Sequence, residues 1–281
     1  MNNLNRRAML VSLNISVWQG HFKDNSVTQE ITTTKQAEND AGSWWTYLIP
    51  PRDLKPIVNA ADDARNLMYK LTLPWNDNGV RILPSKMFLD FNKQMREKLN
   101  KYDEAVEEFI KQYPQIIEHA KKRLGKLPAK RIPEISEIKN KFGYSLNIYP
   151  LPDAGDFRAE VDESVVEEIK NKITSSITTA SEKAINKIWQ QLYELVEKVE
   201  NTLSDPNKKF KNSLITNLSE FCALMPKLDI TEDDNLEKIR QEVMDKIAKM
   251  YPDTLREAKV IRQNTAKAAR ELKEKIKDYL L

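Results

Sequence analysis

The sequence has very little glycine. Only six of its 281 residues are glycine, where an average usage of about 7% would give roughly twenty. Because glycine supplies the tight backbone of phosphate-binding loops and hairpin-rich sheets, its scarcity argues against P-loop, Rossmann and all-β designs. Charged residues make up 31% of the chain and hydrophobic residues 40%, a balance that is typical of long solvated helices.

Cysteine and histidine are also scarce. The single cysteine, Cys222, excludes an intrachain disulfide and favours a reducing compartment, and its apolar helical neighbours indicate a buried, inert thiol. The two histidines, His21 and His119, lie far apart in the chain, and the sequence has no HExxH, Cys/His cluster, GxSxG or phosphate loop. The sequence therefore predicts a non-enzymatic protein with no catalytic residues, cofactor or metal.

Long apolar runs are missing as well. Arg6 and Arg7 precede an apolar stretch over residues 8–18, but polar residues interrupt it at alternate positions and no small-residue cleavage motif follows. This alternation predicts a strand rather than a signal peptide. No run approaches the roughly 18 apolar residues of a membrane-spanning helix. We therefore expect a cytoplasmic protein without a membrane partner, located in the host cytoplasm if a phage encodes it.

The longest periodic stretch runs from Ser164 to Leu203. Its apolar residues recur at steps of three or four, which predicts a helix of about 40 residues with one apolar face. Ser164 and Glu167 indicate a capping box at its start, and Pro206 follows its end. The apolar positions are Val166, Ile169, Ile173, Ile177, Ala180, Ala184, Ile188, Leu192, Leu195, Val199 and Leu203.

Shorter patterns complete the predicted fold. A second long helix begins near Ser85 and is interrupted or kinked at Pro114, and further helices follow the central one. The pattern predicts strands at residues 9–17, 144–148 and 157–161 in one small antiparallel sheet, and residues 80–83 are a further candidate strand of it. The expected class is mainly α, with elongated helical arms and long coiled-coil-like helices joined by a small β layer. We expect a mixed region with a helical hairpin at 1–162 and a helical bundle at 163–281.

Two groups of cations are candidate nucleic-acid contacts, each with a plain alternative. The first has no acid inside it and comprises Lys121, Lys122, Arg123, Lys126, Lys130 and Arg131; a solvated helix end would look the same. The second forms a stripe on the final helix, where an amphipathic helix with intrahelical ion pairs is the alternative. Its candidate contacts are Lys259, Arg262, Lys267, Arg270, Lys273 and Lys277.

Aromatic residues cluster toward the N-terminus. Trp18, Trp44, Trp45 and Trp75 all precede residue 80, and Trp189 lies on the central helix. Filling of the core around the small sheet is one interpretation, and an interface or a platform for stacking bases is the other.

Three segments of the chain resemble an uncharacterised family of bacteria and tailed phages: the stretch 10–18, the turn 73–84 and the segment 150–158. The motif positions that carry the resemblance are Trp18, Trp75, Gly79, Asp156, Phe157 and Arg158. Genes of that family often lie near those of a MoxR-type AAA+ ATPase and a von Willebrand A-type protein. The resemblance covers roughly residues 8–160, and it implies a phage or mobile-element origin and an adaptor role, but no activity.

Two functions follow as hypotheses. The first is a non-enzymatic interaction or adaptor protein that presents long helices to a protein partner, either an AAA+ ATPase or a second copy of the chain. The alternative is a nucleic-acid-binding protein that uses the basic stripe of the final helix and the 121–131 cluster.

Overall fold

The computed structural model describes residues 4–76, 79–127, 131–156 and 162–280 of the chain. Helices account for 69% of the residues and strands for 11%, so the predicted mainly α class with a small antiparallel sheet is confirmed. In the described residues, no helix is long and apolar enough to cross a membrane.

The helices and strands follow one another in a mixed order. In chain order they are α1 (Leu4–Arg7), β1 (Ala8–Ser16), β2 (His21–Lys23), α2 (Asn25–Lys35), β3 (Trp45–Tyr47), α3 (Pro51–Leu71), β4 (Leu73–Pro74), β5 (Val80–Pro84), α4 (Phe88–Leu124), α5 (Ile135–Ile138), β6 (Gly143–Pro150), α6 (Glu163–Leu203), α7 (Ser213–Leu228), α8 (Asp234–Val243), α9 (Pro252–Glu257) and α10 (Lys259–Lys277).

The chain forms two compact units that alternate along the sequence. Unit 1 comprises Met1–Ser12, Leu71–Leu89 and Asn147–Leu281, and unit 2 comprises Leu13–Lys70 and Asp90–Leu146. The domain boundary predicted after residue 162 does not coincide with any point at which the chain passes from one unit to the other. Segments that are remote in sequence join the same core, and a hydrophobic pattern read along the chain does not reveal this.

The four-stranded sheet has the order β4-β5-β1-β6. β1 runs antiparallel to β5, with Ala8 opposite Pro84 and Ser12 opposite Val80. The predicted strands at 9–17, 80–83 and 144–148 are therefore confirmed, whereas the predicted strand at 157–161 lies outside the described residues. A separate two-stranded ribbon pairs β2 with β3.

The core of unit 1 forms around the C-terminal half of α6, which packs against α7 and α10. From Ala180 onward, the apolar stripe predicted for α6 is half-buried at Leu195 and buried at its other positions, Ala180, Ala184, Ile188, Leu192, Val199 and Leu203. Leu10, Leu73 and Ile82 from the N-terminal segments belong to the same cluster. The long period-3.6 pattern thus identifies the element that organises this unit.

Two predicted helix boundaries differ from the structure. α4 continues through Pro114 to Leu124, because a proline in a long helix removes one hydrogen bond but does not by itself stop the neighbouring turns. The cap of α6 is Asp162, whose carboxylate accepts the backbone N–H and the hydroxyl of Ser164. Ser164 is therefore a partner of the cap rather than the cap itself.

Candidate interaction surfaces

The residues that most often carry chemistry are dispersed. His21 lies on β2, and His119 is exposed on α4. Cys222 is fully buried on α7, and burial raises the pKa of its thiol to about 12, which keeps it protonated and unreactive. Among the described residues, no three His, Cys, Asp or Glu side chains are placed to hold a metal ion.

Arg262, a predicted nucleic-acid contact, lies in the core of unit 1. Its side chain is buried, and its guanidinium donates hydrogen bonds to the carbonyls of Leu203 at 3.1 Å, Thr202 at 3.1 Å, Lys208 at 2.8 Å and Asp205. Carbonyls in the last turn of a helix have no intrahelical partner, and Arg262 satisfies those that end α6. The assignment of Arg262 to phosphate binding is therefore corrected.

Two more cations of the predicted stripe face an internal acid. Glu200 on α6 is only 5% exposed, and its carboxylate accepts a hydrogen bond from Arg270 at 2.9 Å and pairs with Lys273 at 2.6 Å. Burial alone would raise the pKa of Glu200, but the bonds and charges of Lys273 and Arg270 outweigh burial and lower it. These two cations thus hold α10 against α6, although the side chain of Arg270 is itself 69% exposed. Lys259, Lys267 and Lys277 are also exposed.

The 121–131 cluster surrounds the end of α4. Lys121, Lys122 and Arg123 form the last turn, Lys126 and Arg131 are exposed beyond it, and Lys130 lies outside the described residues. Lys122 pairs with Glu118 one turn earlier, at 2.8 Å. The structure thus keeps this cluster at the surface of unit 2.

The ribbon of β2 and β3 presents aromatic rings beside this cluster. Its register pairs His21 with Tyr47 and Lys23 with Trp45, and side chains of a directly opposed pair lie on the same face. Trp45 is 48% and Tyr47 43% exposed. The His21 ring centroid lies 5.2 Å from that of Trp45 and 5.1 Å from that of Tyr47. We call His21, Lys23, Trp45 and Tyr47 the aromatic face.

The basic cluster contacts this ribbon directly. Arg123 donates a hydrogen bond to the Tyr47 carbonyl, and the guanidinium of Arg131 lies 4.2 Å from the centroid of the Phe22 ring. The ribbon that carries Trp45 and the 121–131 cations, which are far apart in the sequence, therefore meet in one place.

Buried hydrogen bonds fix the ribbon in position. Asp24 caps α2 through a bond from the Val27 N–H at 3.2 Å, and its second oxygen accepts the Thr46 hydroxyl at 3.2 Å. Gly20 has a φ of +66°, and a Cβ there would lie 2.8 Å from the Leu54 side chain. Any other residue at position 20 would make the Leu54 side chain shift and would adopt a strained backbone, so glycine favours the close approach of the ribbon to α3.

An apolar groove of about 710 Å³ opens beside the aromatic face. The end of β1 and the start of α3 form its walls, and Arg65, which donates to the Ile15 carbonyl at 3.0 Å, lies at its edge. Its lining includes Ile15, Val17, Trp18, His21, Tyr47, Leu54, Val58 and Arg65. The sequence analysis did not predict this groove. The ribbon beside it did leave a signal, because aromatic and polar side chains alternate in the segments 21–23 and 45–47.

The positions that carry the family resemblance have mostly structural surroundings. Trp18 packs edge-on against Tyr113, Trp75 is half-buried against the core of unit 1, and Gly79 has a φ of +78°. Asp156 ends a short 3₁₀ turn that begins at Ala154. Phe157 and Arg158 lie outside the described residues.

The first four turns of α6 form another exposed surface. From Glu163 to Thr179, all of which the structure describes, no side chain is buried. The predicted stripe nevertheless continues here at Val166, Ile169, Ile173 and Ile177, all of them half-buried. We call residues 163–179 the α6 N-terminal stretch.

Comparisons with known proteins found no matching family model, no similar curated protein and no similar solved structure. The resemblance to the bacterial and phage family stays a prediction.

Proposed function

We propose that the chain is a non-enzymatic adaptor that presents the α6 N-terminal stretch to a helical segment of a protein partner. The observation that supports this function is the difference between the two halves of one stripe. From Ala180 onward every residue of the stripe except the half-buried Leu195 is buried, and this half of α6 packs against α7 and α10. From Val166 to Ile177 the same spacing continues without a buried residue.

The geometry of the stretch favours a helix as its partner. The steps from Val166 to Ile177 are three, four and four, and they align the side chains along about 17 Å of one helix face. Such a row packs into the groove of another helix, as the continuation of the stripe does within unit 1. A strand or loop would match this spacing poorly.

The stretch is also stable enough to remain helical before it binds. Asp162 caps its first turn, and Glu168 pairs with Lys172 four residues later on the polar side. A preformed helix loses less conformational entropy on association. In our proposal the chain is of phage or mobile-element origin, and an AAA+ ATPase of the MoxR type is the first partner to test.

Two aspartates placed on the stripe test the proposal. We expect Ile169→Asp with Ile173→Asp to lower co-purification with the partner at least about tenfold, because each carboxylate would have to be desolvated in an apolar seam. The measurement is affinity purification from expressing cells after nuclease treatment, with quantification of the retained proteins. Light scattering of the purified chain tells a second copy from another protein.

The matched control adds the same charges to the opposite side of the same helix. Asn171 and Ser175 are exposed, and their replacement by aspartate should leave retention unchanged. Equal losses in both double variants, or no loss in either, would contradict the assignment of this stretch.

The alternative site on α10 receives less support. Arg262, Arg270 and Lys273 bind groups within unit 1, so half of the predicted contacts are engaged internally. We do not propose this helix as a nucleic-acid site.

A further inference from the structure

The aromatic face has the chemistry of a stacking platform. Trp45 and Tyr47 stand on either side of His21, and about half of each ring is exposed. Planar rings held at the surface of a ribbon offer π faces to other flat groups, and every nucleobase has such a face. The apolar groove next to Tyr47 has room for one further base.

Cations lie on both faces of the ribbon that carries the platform. Lys23 shares the face with Trp45, Arg123 is tied to the carbonyl of Tyr47, and Arg131 is tied to Phe22 on the other side of the ribbon. Lys121 and Lys126 are exposed on the segment that carries Arg123. No acid occurs between residues 121 and 131. Aromatic rings with basic residues beside them are complementary to a nucleic-acid strand, which carries one phosphate for each base.

The platform is also preorganised. The Asp24 carboxylate joins the start of α2 to Thr46, and the Asp24 N–H donates to the Trp44 carbonyl at 2.9 Å. The Trp44 N–H in turn donates to the Thr28 hydroxyl at 2.8 Å. These bonds hold the backbone of β3 while the rings of residues 45 and 47 remain exposed, so little order has to be gained on binding.

We infer that the aromatic face and the cations of the 121–131 cluster bind single-stranded nucleic acid without strict sequence preference. Bases stack on Trp45, His21 and Tyr47, and the phosphates lie along Lys23, Lys121, Arg123 and Lys126. A duplex is a poor ligand, because its bases are already stacked on one another. This inference does not depend on the adaptor function, since it concerns unit 2 and other residues.

Binding of labelled oligonucleotides to the full chain tests the inference. Fluorescence anisotropy with short oligothymidine and oligouridine at about 50 mM salt should show binding, with a duplex of the same length at least about tenfold weaker. Comparison of the two single strands tells whether the sugar matters. In a plot of the logarithm of the affinity against the logarithm of the salt concentration, we expect a slope of about −0.7 for each phosphate contacted.

Variants separate stacking from charge. Trp45→Ala should weaken single-strand binding about 5- to 100-fold, whereas Trp45→Phe, which keeps a ring, should retain most of it. Lys121→Gln with Lys126→Gln should reduce the salt slope by about 1.4 without removing the dependence on Trp45. Both lysines are exposed, so this variant remains informative if Trp45→Ala disturbs the ribbon.

Controls in unit 1 complete the experiment. Lys259→Gln with Lys267→Gln makes the same charge change at exposed positions, and Tyr251→Ala removes a ring that is 78% exposed; neither should change binding. The inference is overturned by no binding at about 50 mM salt, by equal affinity for duplex, or by wild-type affinity in Trp45→Ala. Tighter binding of a polyglutamate peptide than of either oligonucleotide would also overturn it, in favour of an acidic protein segment.

Discussion

Arg262 shows how one side chain can join two helices. Its guanidinium serves carbonyls at and beyond the end of α6, although Arg262 itself lies near the start of α10. The planar fork of arginine has five donors in fixed directions, which suits several carbonyls in one place better than an ammonium group does. Sequence analysis placed Arg262 on a solvated face because a helical wheel does not show which neighbour covers it.

We predict that Arg262→Met lowers the free energy of unfolding by about 3 kcal/mol, because buried carbonyls lose their donors. Arg262→Lys should recover only part of this loss. Urea unfolding followed by circular dichroism gives the measurement. Lys267→Met, an exposed position on the same helix, is the control and should stay within about 0.5 kcal/mol of wild type. An equally small effect of Arg262→Met would contradict the capping role.

Glu200 makes the contact between α6 and α10 dependent on pH. The pKa of its carboxyl is lower in the folded chain than its ordinary value of 4.5. The ionised carboxylate therefore stabilises the fold above the unfolded pKa, and this contribution is lost as the pH falls through the folded pKa.

We predict that Glu200→Gln lowers the free energy of unfolding by roughly 1 to 3 kcal/mol at pH 7. The difference from wild type should shrink below the ordinary carboxyl pKa of 4.5, because both chains then carry an uncharged group. Chemical unfolding across this pH range provides the test, with exposed Glu194→Gln as control. A difference that stays constant down to acid pH would mean that packing, rather than charge, explains the effect.

At the scale of elements, periodicity predicted the long helices well. α6 was expected from Ser164 to Leu203 and runs from Glu163 to Leu203, because forty residues with one apolar spacing leave little ambiguity. Of the two effects expected at Pro114, an interruption or a kink, the interruption does not occur, because α4 runs on to Leu124. Short elements carry too few residues for a period to be recognised, and this is why β2 was not predicted.

The candidate surfaces were only partly predictable, for a related reason. The 121–131 cations and the early tryptophans were identified as separate features, and the position of Trp45 near the cations depends on contacts such as that of Arg123 with the Tyr47 carbonyl. These residues are 76 positions apart. Tertiary contacts over such separations leave no local pattern in a single sequence. The α6 stripe, in contrast, was visible, but only burial distinguishes its covered half from its open half.

At the scale of the whole molecule, the interleaved units predict the behaviour of a fragment. Residues 163–281 looked like a separate helical bundle, yet Leu10, Leu73, Ile82 and Leu151 lie in the same core cluster as α6. We expect the fragment 163–281 to melt well below the full chain, since each missing buried side chain removes about 1.5 to 3 kcal/mol. Trp189 is the one tryptophan of this fragment, so its fluorescence reports the transition.

A full-length chain with Leu73→Ala is the matched comparison. The substitution should lower the free energy of unfolding by about 2 to 5 kcal/mol, and the destabilised transition should be the one that Trp189 reports. A fragment that melts at the temperature of the full chain would contradict the assignment of the early segments to this core.

The alternation of the units also sets an order of events during synthesis on the ribosome. The last residue of unit 2 is Leu146, so this unit can fold before the helices from α6 to α10 have been made. The 131 residues from 147 to 277 (277 − 146) take roughly 7 to 26 seconds at about 5–20 residues per second. Until α6 has been made, its side chains cannot cover Leu10, Leu73 and Ile82, and the core cluster that these residues share with both helices stays incomplete until α10 has been made. The two early segments of unit 1 thus belong to the unit that is completed later, and the nascent chain exposes their apolar side chains to chaperones until these helices pack over them.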